Sequence, residues 1–555
     1  MKNITRRILA CTLLGTTALS AVACKGGEDD KATLYVYSFT SGFKSEWLTS
    51  LIADYEEKMK DVEIDGKKGI KVKPTAEKSD VAGSTMAGRE ETVYFLEQQD
   101  YYELLGGNYI ADITSAVTSV SPYDGKTLES KMFEDQKAYF GRETNGETHY
   151  YAFPHYFTSF GIVYDVDLFN EKGYYLADGY DVADVANACV GNNKDWAKTA
   201  GPDGQKGNAD DGLPATYTEF LLLCDYIANV GNDNPLIWTG QFRDSYLTHF
   251  TNALAAEYEG YQQMRLNFTF DGEAKNLGKV QNGAFVKDAK STVIDGTNGA
   301  ELARQAGKYY AMDFYSDLYN KSYIKDKTST LYSSTYSHLK AQEDFLKRST
   351  QRNAMLLDGS WWQAEATSTF DTMKKLNSAY SKENRNLGWM PLPKQSVDQV
   401  GEKSTMYDIM YPLCVMKNGI DPNSWQYKYS LDFIQFANSD EQLAKFTQIT
   451  GCTKALNYTV EGAAYDALNP FAKSFYNAYK ASDIVFPYAN NLLFANNQNT
   501  FKEIDDGNGS PLYKSTAYPT CFIRGLENGT NVTAETYFSG MYSYFSELEI
   551  WKKAK

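Results

Sequence analysis

HYYAFPHYFTSFGIVYD, residues His149 to Asp165, is the stretch that decides how this chain folds. It begins aromatic and proline-bearing and ends in Gly161-Ile162-Val163-Tyr164, a short apolar run with the composition of a strand bounded by turn residues. Pro154 fixes its own φ and pushes Phe153 toward extended backbone, so the first half is a stiff connector and not a helix. A stiff connector feeding a strand is what a crossing between two lobes requires. Tyr150, Tyr151, Tyr156, Phe157 and Phe160 then face either a core or a cleft.

The flanking sequence supports two lobes, as does a length of 555 residues, which exceeds what one ordinary core organises. Upstream, Thr33 to Phe39 alternates like a strand, and Ser45 to Lys60 places Trp47, Leu48, Leu51, Ile52, Tyr55 and Met59 on one helical face. Ile70 to Pro74 and Thr92 to Leu96 read as further strands, and Tyr101 to Leu105 as a helix stopped by Gly106-Gly107-Asn108. Strands alternating with helices predict a parallel α/β sheet. Ligands bind such sheets beyond the carboxyl ends of the strands, which makes Phe39, Thr40, Glu97 and Gln98 candidate contacts. Downstream, Thr216 with Glu219 is a capping box opening a helix, and Ser439 with Gln442 reads the same way. Pro235 to Trp238 is a strand delivering Gln241, and Ala354 to Leu357 is another, ending in Asp358-Gly359-Ser360-Trp361-Trp362. MYDIMYPLCVM, Met406 to Met416, reads as one strand.

The formal charge is -16, and the first 23 residues hold Lys2, Arg6 and Arg7 with no acid, so the rest is more acidic still. Such a surface repels phosphate backbones and argues against nucleic acid as a partner. Aromatic content is 14%, with 43 Tyr, whose flat faces and hydroxyls suit amphipathic ligands such as sugars. The positive start, the apolar Ile8 to Leu19 and Ala21-Val22-Ala23-Cys24 look like a bacterial lipoprotein signal. In such signals the cysteine, here Cys24, carries the lipid after cleavage, and residues 24–32 become a polar tether. Five cysteines remain beyond it, Cys189, Cys224, Cys414, Cys452 and Cys521, with no CxxC pair; most are expected to be reduced and buried. No HExxH, GxSxG, Walker loop or GxGxxG is present, and the four histidines are His149, His155, His249 and His338.

In their order, LYVYSF, YFLEQQDYYELLGGNYIADIT, YAFPHYFTSFGIVYDVDLFNEKG, LPATYTEFLLLCDYI, AMLLDGSWW, NLGWMPLPK and SLDFIQFANSDEQLAKF resemble the family 1 extracellular solute-binding proteins of ABC importers, the carbohydrate-binding relatives of maltose-binding protein. The resemblance covers most of Thr33 to about Thr459. It implies a two-lobed α/β fold of the type II periplasmic-binding-protein kind, hinged around a ligand cleft. One lobe would hold residues 33–154 and 406–450, the other residues 155–405, with insertions near 182–213 and 257–300, and residues 451–555.

The same resemblance implies that Trp361 stacks on a sugar ring. Asp358, Gln241, Glu97 and Gln98 would meet its hydroxyls, and Trp362, Trp238, Phe95, Tyr156 and Tyr407 are further candidates. Thr158 takes the place of a polar hinge-side residue, as a small hydroxyl without the carboxylate of the maltose binders. No cofactor is expected. The loop with Asp203, Asn208, Asp210 and Asp211 has the carboxylate spacing of a structural Ca²⁺ site, against the simpler reading of a solvated acidic turn. The expected protein is an exported, lipid-anchored monomer that captures a carbohydrate without breaking a bond and hands it to permease subunits served by a cytoplasmic ATPase. A surface glycoside hydrolase and a binder of peptides or other polar solutes are the alternatives.

Overall fold

The computed structural model describes residues 31–40, 42–97, 100–410, 412–497, 520–527, 529 and 533–553. Cys24, the leader and tether up to residue 30, Gln98 and the side chain of Cys521 lie outside the described residues. In chain order the elements used below are β1 (Ala32–Phe39), α1 (Glu46–Met59), β2 (Ile70–Glu77), β3 (Val93–Leu96), α2 (Tyr101–Gly106), α3 (Glu134–Phe140), β4 (Phe153–Pro154), β5 (Phe160–Asp165), α4 (Tyr217–Asn229), β6 (Asn234–Ile237), α5 (Arg243–Met264), α6 (Ala306–Tyr319), α7 (His338–Leu346), β7 (Asn353–Gly359), β8 (Leu387–Met390), β9 (Thr405–Tyr407), β10 (Leu413–Met416), α8 (Trp425–Ala437), α9 (Asp440–Thr450), α10 (Pro470–Ala481) and β11 (Asp483–Val485).

Two sheets organise the chain. The first runs β2-β1-β3-β10-β4 and the second β6-β7-β5-β8. β1 is parallel to β2 and β3, with Leu34 opposite Val72 and Val36 opposite Val93, and its buried residues belong to the same hydrophobic core as the buried face of α1. The buried face of α1 is the one its periodicity predicts, Trp47, Leu48, Leu51, Ile52, Tyr55 and Met59. Neither sheet is wholly parallel, contrary to the sequence expectation: β10 runs antiparallel to β3, and β5 antiparallel to both β7 and β8. The cause is connectivity, since β10 and β5 each enter their sheet from a crossing and not from a helical crossover.

Between the sheets, passages of chain run side by side. His155 N donates to Pro412 O at 3.1 Å, Phe157 N to Thr453 O at 3.0 Å, Ala455 N to His155 O at 3.0 Å and Ile409 N to Thr158 O at 3.0 Å. MYDIMYPLCVM therefore splits into β9 and β10, and before β10 Pro412 offers only its carbonyl to the neighbouring passage.

The Thr216 capping box forms as read, with Glu219 N donating to Thr216 Oγ1 at 3.3 Å and Thr216 N to Glu219 Oε2 at 3.0 Å. At Ser439 no box forms, because Gln442 Nε2 donates instead to Asp54 Oδ2 on α1 at 2.9 Å. The long insertion folds into two hairpins, Gly272–Ala274 with Thr292–Ile294 and Gly278–Gln281 with Ala284–Lys287. Ala534–Ser546 lies over it, where Tyr542 Oη donates to Glu301 Oε1 at 2.6 Å. Cys189, Cys224, Cys414 and Cys452 are buried free thiols, as expected. No helix among the described residues is long and apolar enough to cross a membrane.

Candidate functional site

All seven residues of β7 are buried, and the strand lies inside its sheet, parallel to β6 and antiparallel to β5. A rigid strand in that position fixes the turn at its carboxyl end. That turn carries Trp361, whose indole lies flat on Gly359: a Cβ there would sit 2.2 Å from Cη2 and 2.3 Å from Cζ3. The other side of the same side chain touches the first lobe, where a Cβ on Gly42 would meet Cδ1 at 2.3 Å. Trp361 is half-buried and stands where the two lobes meet. Two glycines, one from each lobe, make room for one ring.

Aromatic residues extend this surface outward. Tyr246 of α5 sets its ring edge-on to Trp361, 6.5 Å between centroids, and Phe242 stacks on Tyr246 at 6.3 Å and 22°. Phe242 is 42% exposed, so the row runs from the lobe junction to solvent.

Beside the row lies a connected polar wall. Gln342 Nε2 donates to Asp358 Oδ2 at 3.1 Å and to Glu365 Oε2 at 2.9 Å, and His338 Nε2 is 3.2 Å from Glu365 Oε1. Burial pushes the Asp358 carboxyl up to about 7, and the adjacent Glu365 adds to the rise. Burial acts on Glu365 in the same direction, yet His338 and Gln342 outweigh it and hold its pKa below the usual carboxylate value. The His338 pKa is raised, because Glu365 overcomes the desolvation that would lower it. Lys44 and Lys78 of the first lobe act electrostatically on Glu365 and His338, so each lobe feels the other's charge.

A second polar group occupies the crossings. Tyr156 Oη donates to Glu97 Oε2, and its ring meets Phe43 at 4.6 Å. Thr158 donates to Asp408 Oδ1 through Oγ1 at 2.6 Å and through its backbone N at 3.1 Å. Burial raises the Asp408 pKa to about 8 despite those bonds. Lys454 Nζ lies 2.7 Å from His155 Nδ1 and over the rings of Trp47, Phe95 and Phe446 at 5.2, 5.6 and 4.9 Å. Burial draws the Lys454 pKa down to about 7, while the three ring faces favour its charged form.

The structure thus brings Trp361 and Asp358 together, and groups Tyr156, Glu97 and Thr158 at the crossings. Gln241 is exposed, its backbone N donating to Tyr336 O at 2.9 Å, and Thr40 N donates to Glu77 O at 2.6 Å just after Phe39 at the end of β1. Four sequence candidates are packing residues instead. Trp238 is fully buried, with Nε1 donating to Leu331 O at 3.1 Å, and Trp362 is enclosed by Phe345, Phe370 and Phe471. Phe95 packs edge-on against Trp47 in the first lobe, and Tyr407 lies buried beside Phe268. Sequence reasoning missed Phe242, Tyr246, His338, Gln342, Glu365, Asp408 and Lys454.

The acidic turn is tied up in its own hydrogen bonds. Asp203 Oδ1 accepts from Gln205 N at 2.7 Å and Oδ2 from Asn208 Nδ2 at 2.7 Å; Asp210 Oδ2 accepts from Asp203 N at 3.2 Å and Asp211 Oδ2 from Gly207 N at 2.8 Å. Asn208 turns its amide nitrogen toward Asp203 while its Oδ1 accepts from Asp210 N at 3.1 Å, an arrangement that fits the solvated acidic turn. Among the described residues no cluster of three or more His, Cys, Asp or Glu side chains is arranged to hold a metal ion.

No protein-family model matches the chain, and no curated protein matches it. Solved structures do match over nearly its whole length. A chitin oligosaccharide binding protein superposes with a TM-score of 0.52 at 15% identity, covering 93% of this chain and 99% of its own. The GacH receptor of Streptomyces glaucescens, described in complex with acarbose, gives 0.53 at 13% identity and coverages of 95% and 100%. A cyclic alpha-maltosyl-1,6-maltose binding protein from Arthrobacter globiformis gives 0.51 at 10% identity, covering 94% and 100%. At these identities the likeness shows the fold, which is the two-lobed α/β fold of solute-binding proteins.

Proposed function

We propose that this protein captures a carbohydrate between its lobes and releases it to a membrane permease. The observation that carries the reading is Trp361, laid on Gly359 at the carboxyl end of β7 and touched from the other lobe at Gly42. A pyranose presents weakly positive C-H groups on one face, which an indole face complements while excluding water. Its hydroxyls need planar polar partners, and the Asp358, Gln342 and Glu365 wall supplies both donors and acceptors beside the ring. Because the platform touches both lobes, a bound sugar gains contacts across the cleft only when the lobes come together, and that difference drives closure. The solved structures named above are described as binding or receptor proteins for oligosaccharides and acarbose, which supports the same ligand class.

The remaining parts rest on sequence. Ala21-Val22-Ala23-Cys24 supports export with a lipid anchor on Cys24, and delivery to permease subunits served by an ATPase is implied by the resemblance. Binding without turnover is supported by the solved structures named above, which are described as binding or receptor proteins. Asp358 and Glu365, which both accept from Gln342 Nε2, are the acids whose removal would test the hydrolase alternative.

Thermal shift and calorimetry with a panel of oligosaccharides, repeated on Trp361→Ala, test the reading. A melting-temperature rise with one glycan class, lost in the variant and unaccompanied by reducing-end release, is the expected result. No response to any glycan sinks the proposal, and reducing-end release points to the hydrolase.

A further inference from the structure

Two lysines of the first lobe stand beside the tryptophan platform. Lys44 lies two positions after Gly42, which touches Trp361, and takes a left-handed backbone, φ 58°, in the loop between β1 and α1. Lys78 directly follows Glu77, the last residue of β2, whose carbonyl accepts from Thr40 N at the start of that same loop. Both therefore sit beyond the carboxyl ends of parallel strands, where ligands of such sheets bind. Neither amine forms an ion pair or a hydrogen bond among the described residues. The nearby acids, by contrast, are occupied. Asp358 accepts from Gln342 Nε2 and Gly359 N, Glu365 from Gln342 Nε2 beside His338, Glu97 from Tyr156 Oη, and Asp80 from Glu97 N.

His338 faces the lysines from the second lobe. Its ring meets Phe242 at 5.4 Å, Nε2 is engaged by Glu365, and Nδ1 is buried with no hydrogen-bond partner. Glu365 favours the imidazolium, in which Nδ1 carries a hydrogen in need of an acceptor. Lys78 opposes that charge from across the cleft. Like charges on two lobes resist each other's approach, and an anion set between them turns the repulsion into two attractions.

We propose that the saccharide captured here is acidic, its carboxylate or sulfate held by Lys44 and Lys78 of the first lobe and by His338 of the second. This inference rests on the reading that a carbohydrate binds in the cleft and narrows its class. Trp361 offers stacking to any pyranose, whereas an anion reaches the charges of both lobes only when they come together, so an acidic ligand drives closure more strongly than a neutral one.

Calorimetry on the full chain tests it, with oligogalacturonates, sulfated carrageenan oligosaccharides and neutral galacto-oligosaccharides of matched length. One acidic set is expected to bind about tenfold or more tighter than the neutral set, the preference shrinking as salt is added. Which acidic set binds tells carboxylate from sulfate. Lys44→Met with Lys78→Met is expected to remove the preference, and Lys44→Arg with Lys78→Arg, which keeps the charge, to retain it. Neutral oligosaccharides bound as tightly as acidic ones overturn the inference while leaving carbohydrate capture standing, and so does a preference that survives in the double Met variant. Failure of every glycan to bind removes both.

Discussion

Gly359→Ala is the sharpest test of the site, because the geometry assigns it a specific collision. The added methyl would stand 2.2, 2.3 and 2.4 Å from Cη2, Cζ3 and Cζ2 of Trp361, where carbon atoms in contact are about 3.5 to 4.0 Å apart. The backbone of β7 cannot yield, since all seven of its residues are buried and it is paired on both sides. The ring must therefore lift by more than about 1 Å or swing off. Trp361 is half-buried, so it has room to move, and the stability cost should lie near the low end of the roughly 1 to 3 kcal/mol typical of overpacking. Affinity should suffer more. Losing a stacking platform is expected to weaken glycan binding at least tenfold, about 1.4 kcal/mol. Gly42→Ala provides the contrast: its methyl would sit 2.3 Å from Cδ1 of the same ring, but the collision exists only when the lobes approach. It should weaken binding while leaving the indole emission of the ligand-free protein closer to wild type than Gly359→Ala does. Calorimetry with the glycan found by screening, together with urea unfolding and tryptophan fluorescence, reads all three quantities. If Gly359→Ala binds as wild type does with unchanged emission, the indole is not the platform and the reasoning fails.

Asp408 should make stability depend on pH. Its carboxyl titrates near 8 in the fold, above the ordinary carboxylate value, so the folded state holds a proton that the unfolded chain gives up. Its contribution is present below about pH 4 and is lost as pH rises through 8, and Asp408→Asn should flatten the fall in unfolding free energy between those limits; equal slopes in urea titrations would contradict this. Lys394 and Glu257 form a fully buried ion pair at 2.5 Å, and Lys394→Met, which strands the carboxylate, should cost about 3 to 5 kcal/mol, whereas Lys394→Met with Glu257→Gln should recover part of it. A double variant no more stable than the single one argues against that pairing. Millimolar Ca²⁺ or a chelator should leave the melting temperature unchanged, because the Asp203, Asp210 and Asp211 carboxylates already accept backbone and amide hydrogens.

What the sequence allowed and what it hid divide along a physical line. Strands β1, β3, β5 and β7, the face of α1 and the Thr216 cap were legible because each is a local pattern with one solution: alternation, a 3.6-residue stripe, a reciprocal pair of hydrogen bonds. The direction of β10 was not, since pairing between residues hundreds apart leaves no local trace and Pro412 breaks what reads as a continuous strand.

The site shows the same division at finer scale. Trp361 was singled out only through the resemblance, and the structure adds its place in the turn after β7. Its neighbours were not, because Phe242 at the start of α5 with Tyr246, and His338 with Gln342 on α7, stand four residues apart, the spacing by which any helix buries its apolar face. A pattern common to cores cannot mark a cleft by itself. The adjacent tryptophans make the converse point: Trp361 and Trp362 differ by one position, yet the turn sends one to the lobe junction and the other among Phe345, Phe370 and Phe471. A helix starting at Trp362 rotates successive side chains by about 100°, so identity alone could not separate them. The distinguishing feature was in the backbone: Gly359 two residues before Trp361 leaves a flat bed that only that indole can reach, and Gly42 on the facing lobe leaves the matching space.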